Sequence, residues 1–519
     1  MGKIVPDKRN GKKMEWKKVQ WLMGLLMIGL HGFGQGRTLS CDEAINIALG
    51  ESYTVKYYKE DMDATRFAYL YTKADFKPLL SFNLFAPSWN EGLSTIYQAD
   101  GLPVYNSTGT LQAGGNLNFT YVLPTGGNFA FTSRMFWENY RTTLSEMDNK
   151  VLKRDQVYSR FALSFDQPVF TANKLKENMQ VAELKYQMST SYFTRTQMDI
   201  VYNVTAKFYQ VYELAYEHKI NQDRLVNSRE ALRVTKLKQE TGNLPEGEML
   251  IAEISMAQNE VRVMESEGKL NTAKDEFKLL IGLDLKEEIE LDAEMEFEAF
   301  PIDMQRAIDE ALWNRMEIQE DKLNIELQEI EVKRAKRERE LSGYVSAYYD
   351  FTGLSTRGEG TVGQLISSSF NNMMDRPSNR GIALTVAYPI ADWGRAKNQV
   401  RREQVRLKQR ELNMDNTIRT IETGIREIVR SVQEAERRYR VNQKNQEVAI
   451  KSYRISQLRF ENGDMTSQEL FIEQERLSQV QLAYIESYIT YRLSVANLSR
   501  KTMYDFEHDR SYVIMNYKL

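Results

Sequence analysis

The chain has 519 residues, with 69 Lys and Arg against 72 Asp and Glu, a formal net charge of -3, one Cys and three His. That balance gives no electrostatic reason to expect nucleic acid, a single Cys excludes an internal disulfide framework, and three His leave little material for a histidine metal site. A mean hydropathy of -0.53 excludes a bundle of membrane helices, because no segment after the leader offers the ~20 apolar residues of a span; it leaves room for a β-barrel, whose strands are only half apolar.

Lys12, Lys13, Lys17 and Lys18 precede an apolar run over 21–30, and Gly32, Gly34 and Gly36 follow. This is the order of a secretory signal, with cleavage expected near Gly36 and Met14 a second candidate start. A membrane anchor fits less well, since the run is about half a span. Cys41 has two readings: a small residue at a helix start, or a lipidated N-terminal Cys, against which Thr38 stands where a lipoprotein signal usually has Leu.

From Cys41 to about Asp75 the chain reads as helix, with Ser40 and Glu43 spaced as a capping box. Alternating strands follow: Leu80, Phe82 and Leu84 around Ser81 and Asn83; Leu117, Phe119, Tyr121 and Leu123 around Asn116, Asn118 and Thr120; Phe129 and Phe131; then Phe161, Leu163 and Phe165. Pro124, Thr125, Gly126 and Gly127 join the second and third as a hairpin with one greasy and one polar surface. Further on, Val345, Ala347, Tyr349 and Phe351 alternate, as do Ile382, Leu384, Val386 and Tyr388. The Gly-, Asn- and Ser-rich stretches over 98–115 and 353–381 suit long external loops. Six strands cannot close a useful pore alone, so a membrane reading requires several chains to pool theirs; the other reading is a soluble antiparallel sheet on a core.

Two segments occur twice. FALSFDQPVFTANKL from Phe161 recurs as IALTVAYPIADWGRA from Ile382, and KQETGNLPEGEMLIAE from Lys238 recurs as RFENGDMTSQELFIEQ from Arg459, so that Pro168 matches Pro389 and Gly242 matches Gly463, 221 positions apart in both cases. The first helix recurs at a larger offset of 263, AINIAL from Ala44 matching AIDEAL from Ala307, so about 42 extra residues lie on the strand side of the first copy. The expected organisation is a signal at 1–36, a first repeat at 37–283, a linker at 284–306, a second repeat at 307–504 and a tail at 505–519.

Each copy carries long helices. In the second, Ile418, Ile421, Ile425, Ile428, Val432, Ala435, Tyr439, Asn442, Gln446, Ala449, Tyr453, Ser456 and Phe460 step by three and four, resuming at Leu477, Val480, Tyr484, Ser487, Tyr491, Ser494 and Leu498. In the first, Val201, Val204, Phe208, Val211 and Ala215 do so, then Leu250, Ile254, Ala257, Val261 and Met264. These are coiled-coil seams, and 395–462 reads as one helix of roughly 100 Å at ~1.5 Å per residue. Both long helices break at a Gly and restart, through Asn243, Pro245 and Glu246 or through Thr466 and Glu469. A dimeric rod is the simplest product of such a seam; joined to secreted strands in a duplicated chain, a wall is favoured.

The order and double occurrence of these features resemble the TolC-like outer membrane efflux proteins, from the LSCDEAINIAL helix start through the PIADWGR junction of 389–395 to the two Gly-centred tips. The resemblance implies a mainly α fold with β: a trimeric outer-membrane β-barrel continued by a long α-helical coiled-coil barrel in the periplasm. It implies a homotrimer acting as a passive conduit, with a periplasmic adaptor protein and an inner-membrane pump as partners, no cofactor, no metal and no enzymatic activity. The strand-to-helix junctions are Pro168, Pro389 and Gly394; the first copy lacks the Gly-Arg of the second, so its bend is expected to differ. The adaptor-docking tips are Gly242, Asn243, Leu244, Gly463, Asp464 and Met465, with Leu244 and Met465 expected to be exposed. Family members close the tunnel with acids six and nine positions after the second tip Gly, which here are Glu469 and, since Ile472 stands at the ninth place, its neighbour Glu473. A capping role for Glu469 remains beside the gate reading, and Glu248 is expected to cap. Whether the barrel has twelve or eighteen strands is open. No GxxxxGK or HExxH motif is present, and the 22 Met are scattered, so nothing names a cargo. The competing class is a secreted coiled-coil structural or adhesive protein with a soluble β head.

Overall fold

The computed structural model describes residues 37–97, 99–144, 150–171, 173–240, 245–292, 300–355 and 361–512. The expected signal and the tip residues Gly242, Asn243 and Leu244 lie outside the described residues. The chain divides into two compact units, one of 57–196 and 308–424, the other of 1–56, 197–307 and 425–519.

Strand β1 (Arg37–Leu39) pairs in parallel with β6 (Ile289–Leu291) and buries Leu39 completely. Helix α1 (Cys41–Glu51) opens on the expected capping box: the Glu43 N–H donates to Ser40 Oγ and the Ser40 N–H to the Glu43 carboxylate, both at 3.2 Å. The helix expected to run to Asp75 is instead two, because Ser52 turns to an extended conformation before α2 (Tyr53–Ala74). The second copy breaks likewise at Arg315, between α5 (Met304–Asn314) and α6 (Met316–Arg337). Positions 52 and 315 are 263 apart, the offset read from the sequence.

In the unit of 57–196 and 308–424, β2 (Leu79–Tyr97), β3 (Pro103–Val122), β4 (Asn128–Leu144), β5 (Lys150–Val169), β7 (Ser342–Leu354) and β8 (Asn379–Ala387) form one antiparallel sheet in that order. Cross-strand pairs show that alternation decides the faces. Phe82 opposes Leu117, Phe119 opposes Phe131, Phe131 opposes Leu163, Leu163 opposes Tyr349 and Ala347 opposes Ile382, so one apolar face runs across all six strands. A register shift between Phe85 and Ser88 changes the parity of β2, which keeps Trp89, opposite Leu111, on the face of Leu80 and Phe82. Pro87 falls in that irregularity, where no ladder donor is needed.

Two expected loops are structured. Most of 98–115 is the first half of β3: small and polar residues such as Thr108, Thr110 and Gly114 have paired neighbours on both sides, so the ladder holds them without apolar side chains. Within 353–381 lies α7 (Val362–Asp375), started by a Thr361–Gln364 capping box. It packs on β5 and β7: Ser369 and Ser159 hydroxyls meet at 3.0 Å, the Leu354 N–H donates to Asn372 Oδ1 at 3.1 Å, and a Cβ on Gly353 would stand 2.1 Å from the Ser369 carbonyl.

The long helices are α3 (Lys174–Glu240), α4 (Glu246–Ile281), α8 (Arg395–Asn462) and α9 (Ser467–Thr502), with α8 bounded as expected. Along α8, Ile421, Ile425, Val432, Ala435, Tyr439, Tyr453, Ser456 and Phe460 are buried, as the seam required, and Tyr439 meets Tyr484 of α9 with hydroxyls 3.1 Å apart. On α4 the apolar stripe expected as a seam is not the one buried within the chain. Leu250, Ile254, Val261 and Met264 are exposed, while Ala252, Asn259, Ser266, Leu270, Ala273 and Phe277 are buried. Apolar periodicity marks the greasier stripe of the first half of α4, whereas packing within the chain there takes the smaller Ala252, Asn259 and Ser266, and further on Leu270, Ala273 and Phe277.

Helix α4 ends at Gly282, whose φ of +85° lies in the left-handed region and whose added Cβ would meet the Glu51 carbonyl oxygen at 2.6 Å. Gly282→Ala is expected to destabilise this unit by about 2–4 kcal/mol, from left-handed strain and overlap together. The thermal midpoint of the helical signal should fall by several degrees; an unchanged midpoint would show that the contact gives way freely.

Candidate functional sites at the helix tip, the junctions and the sheet

Helix α8 stops in a Schellman motif. Gly463 has φ +89°, its N–H donates to the Phe460 carbonyl at 3.1 Å, and the Asp464 N–H reaches back to the Arg459 carbonyl at 2.9 Å. Among the described residues no atom would lie within 4 Å of a Cβ on Gly463, so its backbone conformation selects glycine. Thr466 then caps α9: its Oγ1 accepts the Glu469 N–H at 3.2 Å, while the Glu469 carboxylate accepts the Thr466 N–H at 2.9 Å. Asp464 is exposed. Met465, expected to be exposed, is half-buried against a core of Tyr453, Phe460 and Leu470, because the tight turn folds its side chain back onto the helices it joins. Glu248 caps, but across the copies, accepting the Ser467 N–H of α9 at 3.0 Å.

Those cap bonds hold the Glu469 carboxyl below the usual carboxylate range, the Thr466 backbone contributing most. A depressed folded-state pKa contributes stability that is present above the ordinary range and lost as pH falls through the lowered value. Within one chain, Glu469 is thus a capping acid that stays ionised at neutral pH. Glu473, one turn on, stands 3.8 Å from Arg476.

A cluster missed from the sequence ties α3, α4 and α9 together. Arg224 of α3, 6% exposed, pairs with Glu475 of α9, and Arg262 of α4 reaches the same carboxylate oxygen at 3.1 Å. Gln474 Nε2 donates to the Arg224 carbonyl at 3.2 Å. Burial pulls the Arg224 pKa below its ordinary value, only partly offset by Glu475. A basic residue among the buried positions Ile220, Asn221, Leu225 and Ser228 was the available signal. Glu475→Ala strands a buried guanidinium and is expected to cost about 3 kcal/mol, with Glu475→Gln milder. Proteolysis of full-length protein checks this, faster cleavage of α3 being expected in the Ala variant; equal cleavage would contradict it.

The junctions differ as expected. In the second copy Trp393 and Gly394 both have positive φ, and Asp392 caps α8 by accepting the Gly394 and Ala396 N–H groups at 2.9 and 3.0 Å. In the first, Phe170 takes positive φ among the described residues and Asn173 caps α3 through the Lys176 N–H at 3.0 Å. Pro168 sits in the ladder opposite Tyr344, whereas Pro389 lies beyond the end of β8. Ile390 and Trp393 are 95% and 96% exposed, with Tyr388 exposed beside them.

The second face of the sheet is mainly polar, with one aromatic cluster of Phe85, Phe136 and Tyr158 set into it. Glu138 accepts from Gln112 and Gln156 at 2.6 and 2.5 Å, the Arg160 guanidinium pairs with Asp350 at 2.7 Å, and Ser346 donates to Asp166 at 2.6 Å. Together with Asn116, Asn118 and Thr132 they make a surface suited to water. Cys41 belongs to neither feature: its Sγ lies 3.9 Å from Thr205 Oγ1, and burial pushes the thiol up to about 11. Lipid attachment there would require both cutting away β1 and turning this thiol outward. Among the described residues no group of three or more His, Cys, Asp or Glu gathers as metal ligands, and no helix is long and apolar enough to cross a membrane.

Residues 138–283 match the family model described as outer membrane efflux protein. Among solved structures, the outer membrane channel CmeC of Campylobacter jejuni is similar at 12% identity with a TM-score of 0.64, over 97% of this chain and 94% of that one. CusC, solved in a study of folding and transmembrane channel formation, gives 12% and 0.64 over 91% and 95%; the outer membrane protein VceC of Vibrio cholerae gives 14% and 0.59 over 90% and 97%. No curated protein sequence matches the chain significantly. The resemblance to the TolC-like outer membrane efflux proteins therefore holds in sequence signature over 138–283 and in fold over nearly the whole chain.

Proposed function

We propose that the chain is the outer-membrane channel of a tripartite efflux or export system, in which three copies pool their strands into one barrel and their long helices into one periplasmic tunnel. The observation that carries this reading is the sheet itself: an apolar face and a mainly polar face run across six strands whose edges, β2 and β8, have no further strand partner among the described residues. In lipid such edges leave backbone groups unsatisfied, so closure must come from other copies. The exposed stripe of Leu250, Ile254, Val261 and Met264 keeps heptad-like spacing and suits a helix of a neighbouring copy. CmeC is an outer membrane channel and VceC an outer membrane protein, which supports the same compartment here.

In this reading the signal at 1–36 is removed, 37–283 and 307–504 are the two repeats, 284–306 links them and 505–519 is the tail. Transport is passive: nothing catalytic is required of the wall, and energy comes from the inner-membrane pump. The turn at Gly463 and Asp464, with its counterpart at Gly242, Asn243 and Leu244, meets the adaptor, Met465 supporting the turn from beneath. Glu469 and Glu473 supply negative charge at the tunnel's periplasmic mouth.

Fractionation tests the compartment. The protein is expected to stay with outer membranes through carbonate washing and to run as a heat-modifiable oligomer, whereas release into the soluble fraction would favour a secreted coiled-coil protein. Gly463→Asp tests docking, since the site is roomy and Asp tolerates left-handed backbone better than most residues. Assembly should persist while resistance to exported compounds is lost; normal resistance would sink the docking role.

A further inference from the structure

We infer that the β3–β4 hairpin is part of the membrane wall, so that the assembled barrel has eighteen strands, six from each of three copies; this rests on the trimeric reading above. The alternative is a hairpin folded away from a wall built only from β2, β5, β7 and β8.

Three observations favour the wall. First, β3 and β4 are interior strands: β3 pairs with β2 from Leu79 opposite Thr120 to Tyr97 opposite Pro103, and β4 pairs with β5 from Asn128 opposite Asp166 to Leu144 opposite Lys150. No pairing between β2 and β5 exists in the sheet order, so removing the hairpin would open two further edges. Second, the hairpin obeys the same two-faced pattern as its neighbours. Phe131 stacks on Phe161 at 6.1 Å on the apolar face, while on the other face Glu138 bridges Gln112 and Gln156. A hairpin outside the wall would have no reason to continue both faces in phase. Third, its turn is fastened to the base of the neighbouring strand. Asn173 Nδ2 donates to the Pro124 carbonyl at 2.8 Å, Thr125 Oγ1 donates to Gln167 at 2.8 Å, and a Cβ on Gly126 would stand 3.1 Å from the Asn173 side chain. Asn173 also caps α3, so hairpin and junction share one residue.

The consequence is width. With strands ~4.8 Å apart and tilted ~40°, a twelve-stranded barrel has a radius of roughly 12 Å and an eighteen-stranded one roughly 18 Å, more than doubling the cross-section.

Electron cryo-microscopy of the purified full-length particle reads the count directly. A three-fold ring of eighteen strands, with β8 of each copy beside β2 of the next, is the expected result. A three-fold ring of twelve with the hairpin detached overturns the inference and leaves the channel reading standing; a particle without a three-fold ring overturns both. Cysteine labelling in intact membranes, in a Cys41→Ser background, gives a second readout. Phe131→Cys and Phe119→Cys should resist aqueous maleimide and be reached by a lipid-borne probe, whereas Thr132→Cys and Asn118→Cys should label from water. Equal aqueous labelling of all four would overturn the hairpin's place in the wall.

Discussion

Each backbone group left unpaired in hydrocarbon costs several kcal/mol, and among the described residues no strand pairs with the outer edges of β2 and β8. That cost makes the six-stranded sheet unfinished as a membrane structure. It also explains why the ladder tolerates so little irregularity: the one register shift, in β2 between Phe85 and Ser88, restores the apolar phase. Glycine and small polar residues along β3 are admissible for the same reason, since strands paired on both sides are held by backbone bonds before side chains contribute.

The helical unit relies on a different economy. Seams of Ala, Ser, Asn and Tyr bring helices together with modest apolar area, so polar anchors carry register. The Tyr439–Tyr484 contact, the Gln474 bond to the Arg224 backbone and the Arg224–Glu475–Arg262 cluster all join separate helices. At the tip, Glu248 of one copy caps the helix of the other through Ser467. The two hairpins are thus stitched by groups whose bonds are specific to particular side chains.

Legibility followed the range of the interaction. The Ser40 and Thr466 caps, the Gly463 stop, the PTGG turn and the bounds of α8 are local, decided by residues within a few positions of one another, and the chain displays them openly. All six strands were visible as alternation, although their lengths were not, because β3 and β5 extend through residues that pair well without being apolar. The exposed α4 stripe and the half-buried Met465 share one cause: hydrophobicity says that a surface seeks cover but not which surface of the same chain supplies it. Arg224 hid inside a helical pattern because its partner Glu475 is 251 residues away.

By itself the sequence determined the faces of each strand and the points where helices start and stop, because period-two patterning and capping are properties of neighbouring residues. Only the tertiary structure decided that the extra hairpin joins the sheet between β2 and β5, that the α4 stripe through Ala252, Asn259 and Ser266 is buried, and that a helix occupies the supposed loop over 353–381. Those outcomes depend on which backbone edges and side-chain surfaces meet across the chain, and pairing between distant segments leaves no mark in local order.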